Sequence, residues 1–102
     1  MTRARPFLFF LAISALAACF DTTMSLAGFD TTCAQDQDCA VVETGSVCGC
    51  DCGNAAINKK GLAAYQAEYQ SKAAHCSGPG VGCDCATVTP VCTQGQCGFK
   101  VN

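Results

Sequence analysis

The densest run of cysteines in this chain is Cys48-Gly49-Cys50-Asp51-Cys52-Gly53-Asn54. Its glycines and asparagine indicate a loop or an irregular edge strand, and an extended backbone would project the three thiols from one face. The Cys-x-Cys spacing returns at Cys83-Asp84-Cys85, and ten of the eleven cysteines fall between Cys33 and Cys97. So many cysteines in so short a segment are typical of a domain held together by disulfides rather than by a large hydrophobic core.

We expect five structural disulfides, but ten cysteines allow roughly 945 connectivities, so the sequence leaves the pairing open. Cysteines two apart in an extended segment have Cα atoms near the limit of about 7 Å for a bridge, so the Cys-x-Cys residues should pair outward. Cys76 should join the helix end to one of these segments, and Cys92–Cys97 across a hairpin loop is a further candidate pair. The ten residues are Cys33, Cys39, Cys48, Cys50, Cys52, Cys76, Cys83, Cys85, Cys92 and Cys97.

The secondary structure predicted around these cysteines is one helix and several short strands. An apolar stripe at three- and four-residue steps predicts a helix over residues 57–75. Residues 40–44 predict a strand, and residues 87–101 predict a C-terminal hairpin with the four-residue loop 93–96. We therefore expect a small disulfide-rich α+β fold, with the amphipathic helix packed on a short antiparallel sheet. The stripe consists of Leu62, Tyr65, Tyr69, Ala73 and Cys76.

Residues 1–18 have the layout of a bacterial export signal. Arg3 and Arg5 precede an uncharged apolar run of about a dozen residues, which is shorter than the roughly 20 that a membrane-spanning helix needs. The following Leu16-Ala17-Ala18-Cys19 resembles the lipobox of bacterial lipoproteins. This resemblance implies that Cys19 becomes the acylated first residue of the mature protein, with about 0.8 kcal/mol of membrane affinity from each buried methylene.

An ordinary secretory signal is the alternative, because Ser25-Leu26-Ala27 before Gly28 also fits an A-x-A-like cleavage site. Lipidating or losing Cys19 leaves an even number of thiols in the mature chain. The residue after Cys19 is Phe20. In lipoproteins an Asp at this position suggests retention in the inner membrane, so the resemblance implies the outer membrane for a chain lipidated at Cys19. The protein would face the periplasm or the cell surface.

The charge and the residue types exclude several classes of function. From Cys19 onward the chain has four lysines against eight acids and no basic patch with interleaved aromatics, so nucleic acid is not an expected partner. There is one histidine, no nucleophile-elbow motif and no EF-hand spacing. We predict a non-enzymatic protein without catalytic residues or a cofactor.

Two other uses of the cysteines remain open. Thiolates at Cys-x-Cys spacing resemble those of metallothioneins and suit soft ions such as Zn(II) or Cu(I). A strained bridge within Cys48-Gly49-Cys50 would instead be prone to thiol–disulfide exchange. The alternative metal ligands are Cys48, Cys50, Cys52, Cys83, Cys85 and His75.

The order of these features also matches a known pattern. The features, in order, are Cys33-x5-Cys39 with Ala-Val-Val after it, Cys48-Gly49-Cys50, Ala56-Ile57-Asn58, Cys76, Cys83-x-Cys85 and Cys92-x4-Cys97. They resemble the cysteine-cluster domains of bacterial lipoproteins, often described as eight-cysteine-cluster proteins, over residues 33–97. The resemblance implies an envelope module without catalytic residues. This chain has ten mature cysteines, so no pairing is carried over.

The sequence therefore predicts a lipoprotein of the cell envelope that acts as a binding or structural module. We divide it into a signal peptide 1–18, a lipidated N-terminus and tether 19–32, and a disulfide-stapled domain 33–102. Its expected partners are the membrane, through the lipid, and an envelope protein. A secreted form cut after Ala27 and a thiolate metal-binding protein are the alternatives.

Overall fold

The computed structural model of this chain describes residues 21–78 and 83–102. The predicted export signal 1–18 and the predicted lipidation site Cys19 lie outside the described residues. Two 3-10 turns, at Asp36–Asp38 and Lys59–Gly61, lie between the strands and the helix. These elements are β1 (Thr23–Met24), β2 (Cys39–Val42), β3 (Gly45–Ser46), β4 (Ala55–Asn58), α1 (Leu62–Ala73), β5 (Val88–Thr93) and β6 (Gln96–Val101).

The predicted α+β class and the C-terminal hairpin are confirmed, but the strands form three two-stranded antiparallel sheets rather than one. β1 pairs with β3, β2 with β4, and β5 with β6. In the hairpin Thr93 pairs with Gln96, so the loop has two residues instead of the predicted four. Gln94 and Gly95 both have positive φ, of 52° and 77°, as the type I′ turn of a two-residue hairpin requires.

The helix begins later than predicted. Ile57 belongs to β4, where it is fully buried, and the α-helix starts only at Leu62. The Asn58 side chain accepts a hydrogen bond from Lys60 N (3.0 Å), which caps the first turn and separates it from the strand. At the other end, Ala74 and His75 continue as a hydrogen-bonded turn after Ala73.

The core lies between α1 and the β2–β4 pair. Tyr65 is its buried helical residue, and the other members of the predicted apolar stripe pack against it partly buried, so the stripe is confirmed. Phe29 meets Tyr65 edge-on, with ring centroids 5.8 Å apart. The buried cluster consists of Met24, Val42, Val47, Ile57 and Tyr65.

Residues 21–32, which the sequence assigns to a tether, are part of the folded domain. Met24 is 2% exposed, and Leu26 and Phe29 pack against the core. Asp30 O accepts a hydrogen bond from Asn58 N (2.7 Å), and Thr31 O accepts one from Cys97 N (2.7 Å). The segment is therefore held against the domain by both apolar contacts and backbone hydrogen bonds. Within the described residues, no helix is long and apolar enough to cross a membrane.

Candidate functional site

All ten cysteines between Cys33 and Cys97 are paired in five disulfides, with Cα–Cα distances of 5.4–5.9 Å. The predicted disulfide-rich character is therefore present. The structure also supplies the connectivity, which the sequence left open. The bridges are Cys33–Cys92, Cys39–Cys97, Cys48–Cys76, Cys50–Cys83 and Cys52–Cys85.

The two Cys-x-Cys segments are joined to each other by two bridges in the same order. Cys50 pairs with Cys83 and Cys52 with Cys85, each with Cα atoms 5.6 Å apart. Neither segment is bridged internally. Cys48, the first cysteine of the run Cys48–Cys52, pairs with Cys76 after α1. One bridge therefore joins the irregular loop to the residues just after the helix, and the other two join it to the segment that contains Cys83 and Cys85.

The other two bridges fasten the C-terminal hairpin to the start of the domain. Cys92 and Cys97 face each other across β5 and β6, but they bond to Cys33 and Cys39 rather than to each other. The two bridges lie close together, since the sulfurs of Cys33, Cys39 and Cys97 lie within 4.8 Å of one another. The hairpin is thus held by two adjacent covalent links.

The residues of the alternative metal set do not form a metal site in this structure. All five of its cysteines are disulfide-bonded, and metal coordination needs them as thiolates. The sixth member, His75, is exposed in the turn after α1. In this oxidised form the set offers no thiolate ligands.

Two adjoining cavities lie on one side of α1, and we call them together the Glu43 groove. They have volumes of about 400 Å³ and 320 Å³ and share Glu43 and Tyr69. The first lies between β2 and the helix and is lined by Val41, Val42, Glu43, Leu62, Tyr65, Gln66, Tyr69 and Gln70. The second lies against the loop that contains Cys48 and Asp51.

Two tyrosines of α1 hold Glu43 at the centre of this groove. The Tyr65 hydroxyl donates to the Glu43 carbonyl oxygen (2.5 Å) and accepts from the Glu43 N–H (2.9 Å). The Tyr69 hydroxyl donates to Glu43 Oε2 (3.3 Å). Because Tyr65 and Tyr69 are four residues apart, they lie on the same face of the helix. The end of β2 is thereby fixed against α1.

Asp51 places a second carboxylate in the groove. Its Oδ2 atom is buried and has no hydrogen-bond partner among the described residues. Gly45 makes room for it, because a Cβ there would lie 2.9 Å from Oδ2, and its φ of +107° also favours glycine. The bridges at Cys50 and Cys52 hold Asp51 in place from both sides.

The electrostatics of the groove are acidic. Burial raises the pKa of Tyr69 above its ordinary value of 10.0, and the negative charges of Glu43 and Asp51 raise it further, so the phenol is protonated at neutral pH. Among the described residues, neither lysine nor arginine lines either cavity. The groove can therefore accept hydrogen bonds and an ion pair from a cationic group beside an apolar wall.

Sequence reasoning missed this groove as a site. The sequence pattern places Tyr65 and Tyr69 only in the apolar stripe, and Glu43 and Asp51 belong to no motif that the sequence analysis identifies. The available signal was the pair of tyrosines four residues apart, since each carries a hydroxyl that needs a partner when it is buried. No family model matches this chain, and neither a curated protein nor a solved structure shows significant similarity to it.

Proposed function

We propose that this chain is a non-enzymatic lipoprotein of the bacterial cell envelope, anchored through Cys19 and acting as a binding module. The observation that carries the proposal is the burial of Met24 in the core. A secretory cut after Ala27 would remove Met24 together with β1. A cut before Cys19 leaves the folded domain intact.

The use of the cysteines supports the same anchor. Disulfide bonds are consistent with an extracytoplasmic location, and all ten cysteines from Cys33 to Cys97 are paired. Cys19 is the eleventh, and a thioether to lipid gives its sulfur a chemical role. Phe20 after it favours the outer membrane, by the lipoprotein resemblance.

Metabolic labelling with an alkyne-bearing fatty acid in a bacterial host tests the anchor. The wild-type chain should take up label and fractionate with membranes, and Cys19→Ser should lose both properties. The matched control is Ala27→Asp, which blocks the secretory cleavage site at an exposed position and should leave labelling unchanged. An unlabelled wild-type protein that begins at Gly28 would refute the proposal.

We assign the binding surface of the module to the Glu43 groove, and its occupant to a lysine side chain of an envelope protein. Glu43 and Asp51 supply the negative charge, and the groove has no lysine or arginine of its own among the described residues. The partly buried Val41 and Leu62 form an apolar wall that suits the aliphatic part of the side chain. The charge complementarity of such a pair favours specificity.

An NMR titration with N-acetyl-lysine methylamide tests this assignment. Resonances of Glu43 and Tyr69 should shift, whereas the uncharged analogue N-acetyl-norleucine methylamide should leave them in place. Glu43→Gln keeps the shape of the side chain and removes its charge, so it should weaken the lysine response. Equal responses to the two probes would contradict the assignment.

A further inference from the structure

The folded domain begins very close to the predicted lipid. Among the described residues, Thr22 is the first that a backbone hydrogen bond joins to a distant part of the chain, since its carbonyl accepts from Val47 N (2.7 Å). Only three residue steps separate it from Cys19. A fully extended chain spans at most about 3.6 Å per residue, so the backbone of Thr22 lies within about 11 Å of the backbone of Cys19, the proposed lipidated residue.

The chain enters the domain at the C-terminal end of α1. Lys72, in the last turn of the helix, donates from Nζ to Thr23 O (2.5 Å) and lies 3.7 Å from Asp21 Oδ2. β1 also pairs with β3, with Thr23 opposite Ser46. The last helical turn, β1 and β3 therefore form one end of the domain, which we call the proximal end.

The opposite end is well separated from this point. β4 runs to Asn58, which pairs with Cys39, and the 3-10 turn Lys59–Gly61 then reverses the chain into α1. The helix has 12 residues, which corresponds to about 18 Å along its axis. Lys59 and Lys60 thus lie at least one helix length from Lys72, at what we call the distal end.

We propose that the proximal end lies directly against the surface of the lipid bilayer and that the distal end points into the aqueous compartment. This orientation rests on the proposed lipid at Cys19. The short connection keeps the proximal end within about 11 Å of the lipidated residue, whereas the distal end lies about 18 Å further along the helix and has no link to the membrane.

The charges of the proximal end indicate how it is held there. Lys72 is paired with Asp21 and Glu68, so this end carries no excess of positive charge to attract anionic lipid. The covalent lipid holds it at the surface, and the orientation should not depend on the lipid headgroup charge or on salt.

Tryptophan fluorescence gives a direct test because the chain has no tryptophan of its own. Ser71→Trp places the probe on an exposed position beside Lys72. Ala64→Trp is the matched control, since it is exposed on the same helical face seven residues nearer the distal end. Gln37→Trp is exposed in the 3-10 turn Asp36–Asp38. This turn leads into Cys39, which pairs with Asn58 just before Lys59, so the probe reports on the distal region.

Each lipidated variant is reconstituted in phosphatidylcholine vesicles with and without a headgroup nitroxide lipid, which quenches nearby tryptophan. We expect loss of emission for Ser71→Trp, a smaller loss for Ala64→Trp and none for Gln37→Trp. Adding phosphatidylglycerol or salt should change nothing. Equal quenching of the three probes, or strongest quenching of Gln37→Trp, would overturn the orientation.

A flexible Gly/Ser linker of about 20 residues between Phe20 and Asp21 provides the control for the short connection. With it, the differences among the three probes should disappear, and persistence of the pattern would overturn the argument from chain length. The intact mass of each sample separates the two proposals. Missing acyl mass refutes the anchor and the orientation together, whereas acylated protein without the quenching pattern refutes the orientation alone.

Discussion

At the scale of single residues, the hydroxyl of Tyr65 carries the contact between helix and strand. It satisfies both the N–H and the carbonyl of Glu43, and an unsatisfied buried polar group costs about 1–3 kcal/mol. We predict that Tyr65→Phe lowers the free energy of unfolding by about this amount in urea titrations. Tyr69→Phe is the matched control, because it loses only one longer bond to a side chain. Equal losses in the two variants would contradict this role.

The same residue predicts a pH dependence. Burial raises the pKa of Tyr65 above its ordinary value of 10.0, so above that pH the unfolded chain loses the phenolic proton before the folded chain does. The contribution of the protonated Tyr65 to the free energy of unfolding is therefore fully present below pH ~10. It falls as the pH rises toward the pKa of Tyr65 in the folded protein. In urea titrations across this alkaline range, Tyr65→Phe should lose stability less steeply than wild type. A steeper loss in the variant would reverse the sign we assign.

Gly53 shows a steric requirement that the sequence does not reveal. A Cβ at this position would lie 2.6 Å from Val41 Cγ1 and 3.4 Å from Val88 Cγ2. We predict that Gly53→Ala costs about 1–3 kcal/mol through overpacking, measured as a lower thermal midpoint. Gly49→Ala should be tolerated, since its nearest contact would be 3.7 Å. If Gly49→Ala is the more damaging change, the close approach of Gly53 to Val41 is wrong.

At the scale of elements, β1 is decisive although it has only two residues. Its Met24 is among the most buried side chains described, and truncation of a buried methionine costs about 2–5 kcal/mol. We predict a loss of this size for Met24→Ala in urea unfolding. Val101→Ala, at a residue that is 63% exposed, should change stability by less than about 0.5 kcal/mol. A Met24→Ala variant as stable as wild type would show that residues 21–32 act as a tether and do not stabilise the domain.

The elements also show how far the sequence could be read. The stripe of α1 depends on local periodicity and the hairpin on two arms close together in the sequence, and both are predicted. β1 was not, because its pairing with Gly45–Ser46 is non-local and one buried methionine gives no periodic signal. The start of the helix was misplaced for a related reason, since Ala56 and Ile57 continue the apolar pattern but are held in a strand by β2.

At the scale of the whole molecule, covalent links dominate over the core. The described hydrophobic core has seven buried residues, two of which are alanine and cysteine, whereas the bridges close loops of 28–59 residues. Loops of this length give roughly 3–5 kcal/mol each in the chain-entropy description. We predict that full reduction unfolds the domain, with loss of helical circular dichroism at neutral pH. A reduced chain that keeps the native spectrum would show that the core suffices.

The number of bridges could be predicted from the cysteine count, but the pairing and the Glu43 groove could not. Both depend on which segments meet in space: the loop at Cys50–Cys52 lies beside Cys83–Cys85 only because α1 returns the chain to that end.

The most direct test of the central claim is the intact mass of protein purified from bacterial membranes, before and after reduction. We predict an N-terminal Cys19 with added acyl mass and a gain of about 10 Da on reduction, since each disulfide accounts for ~2 Da. A chain that begins at Gly28, or that gains no mass on reduction, would contradict the account.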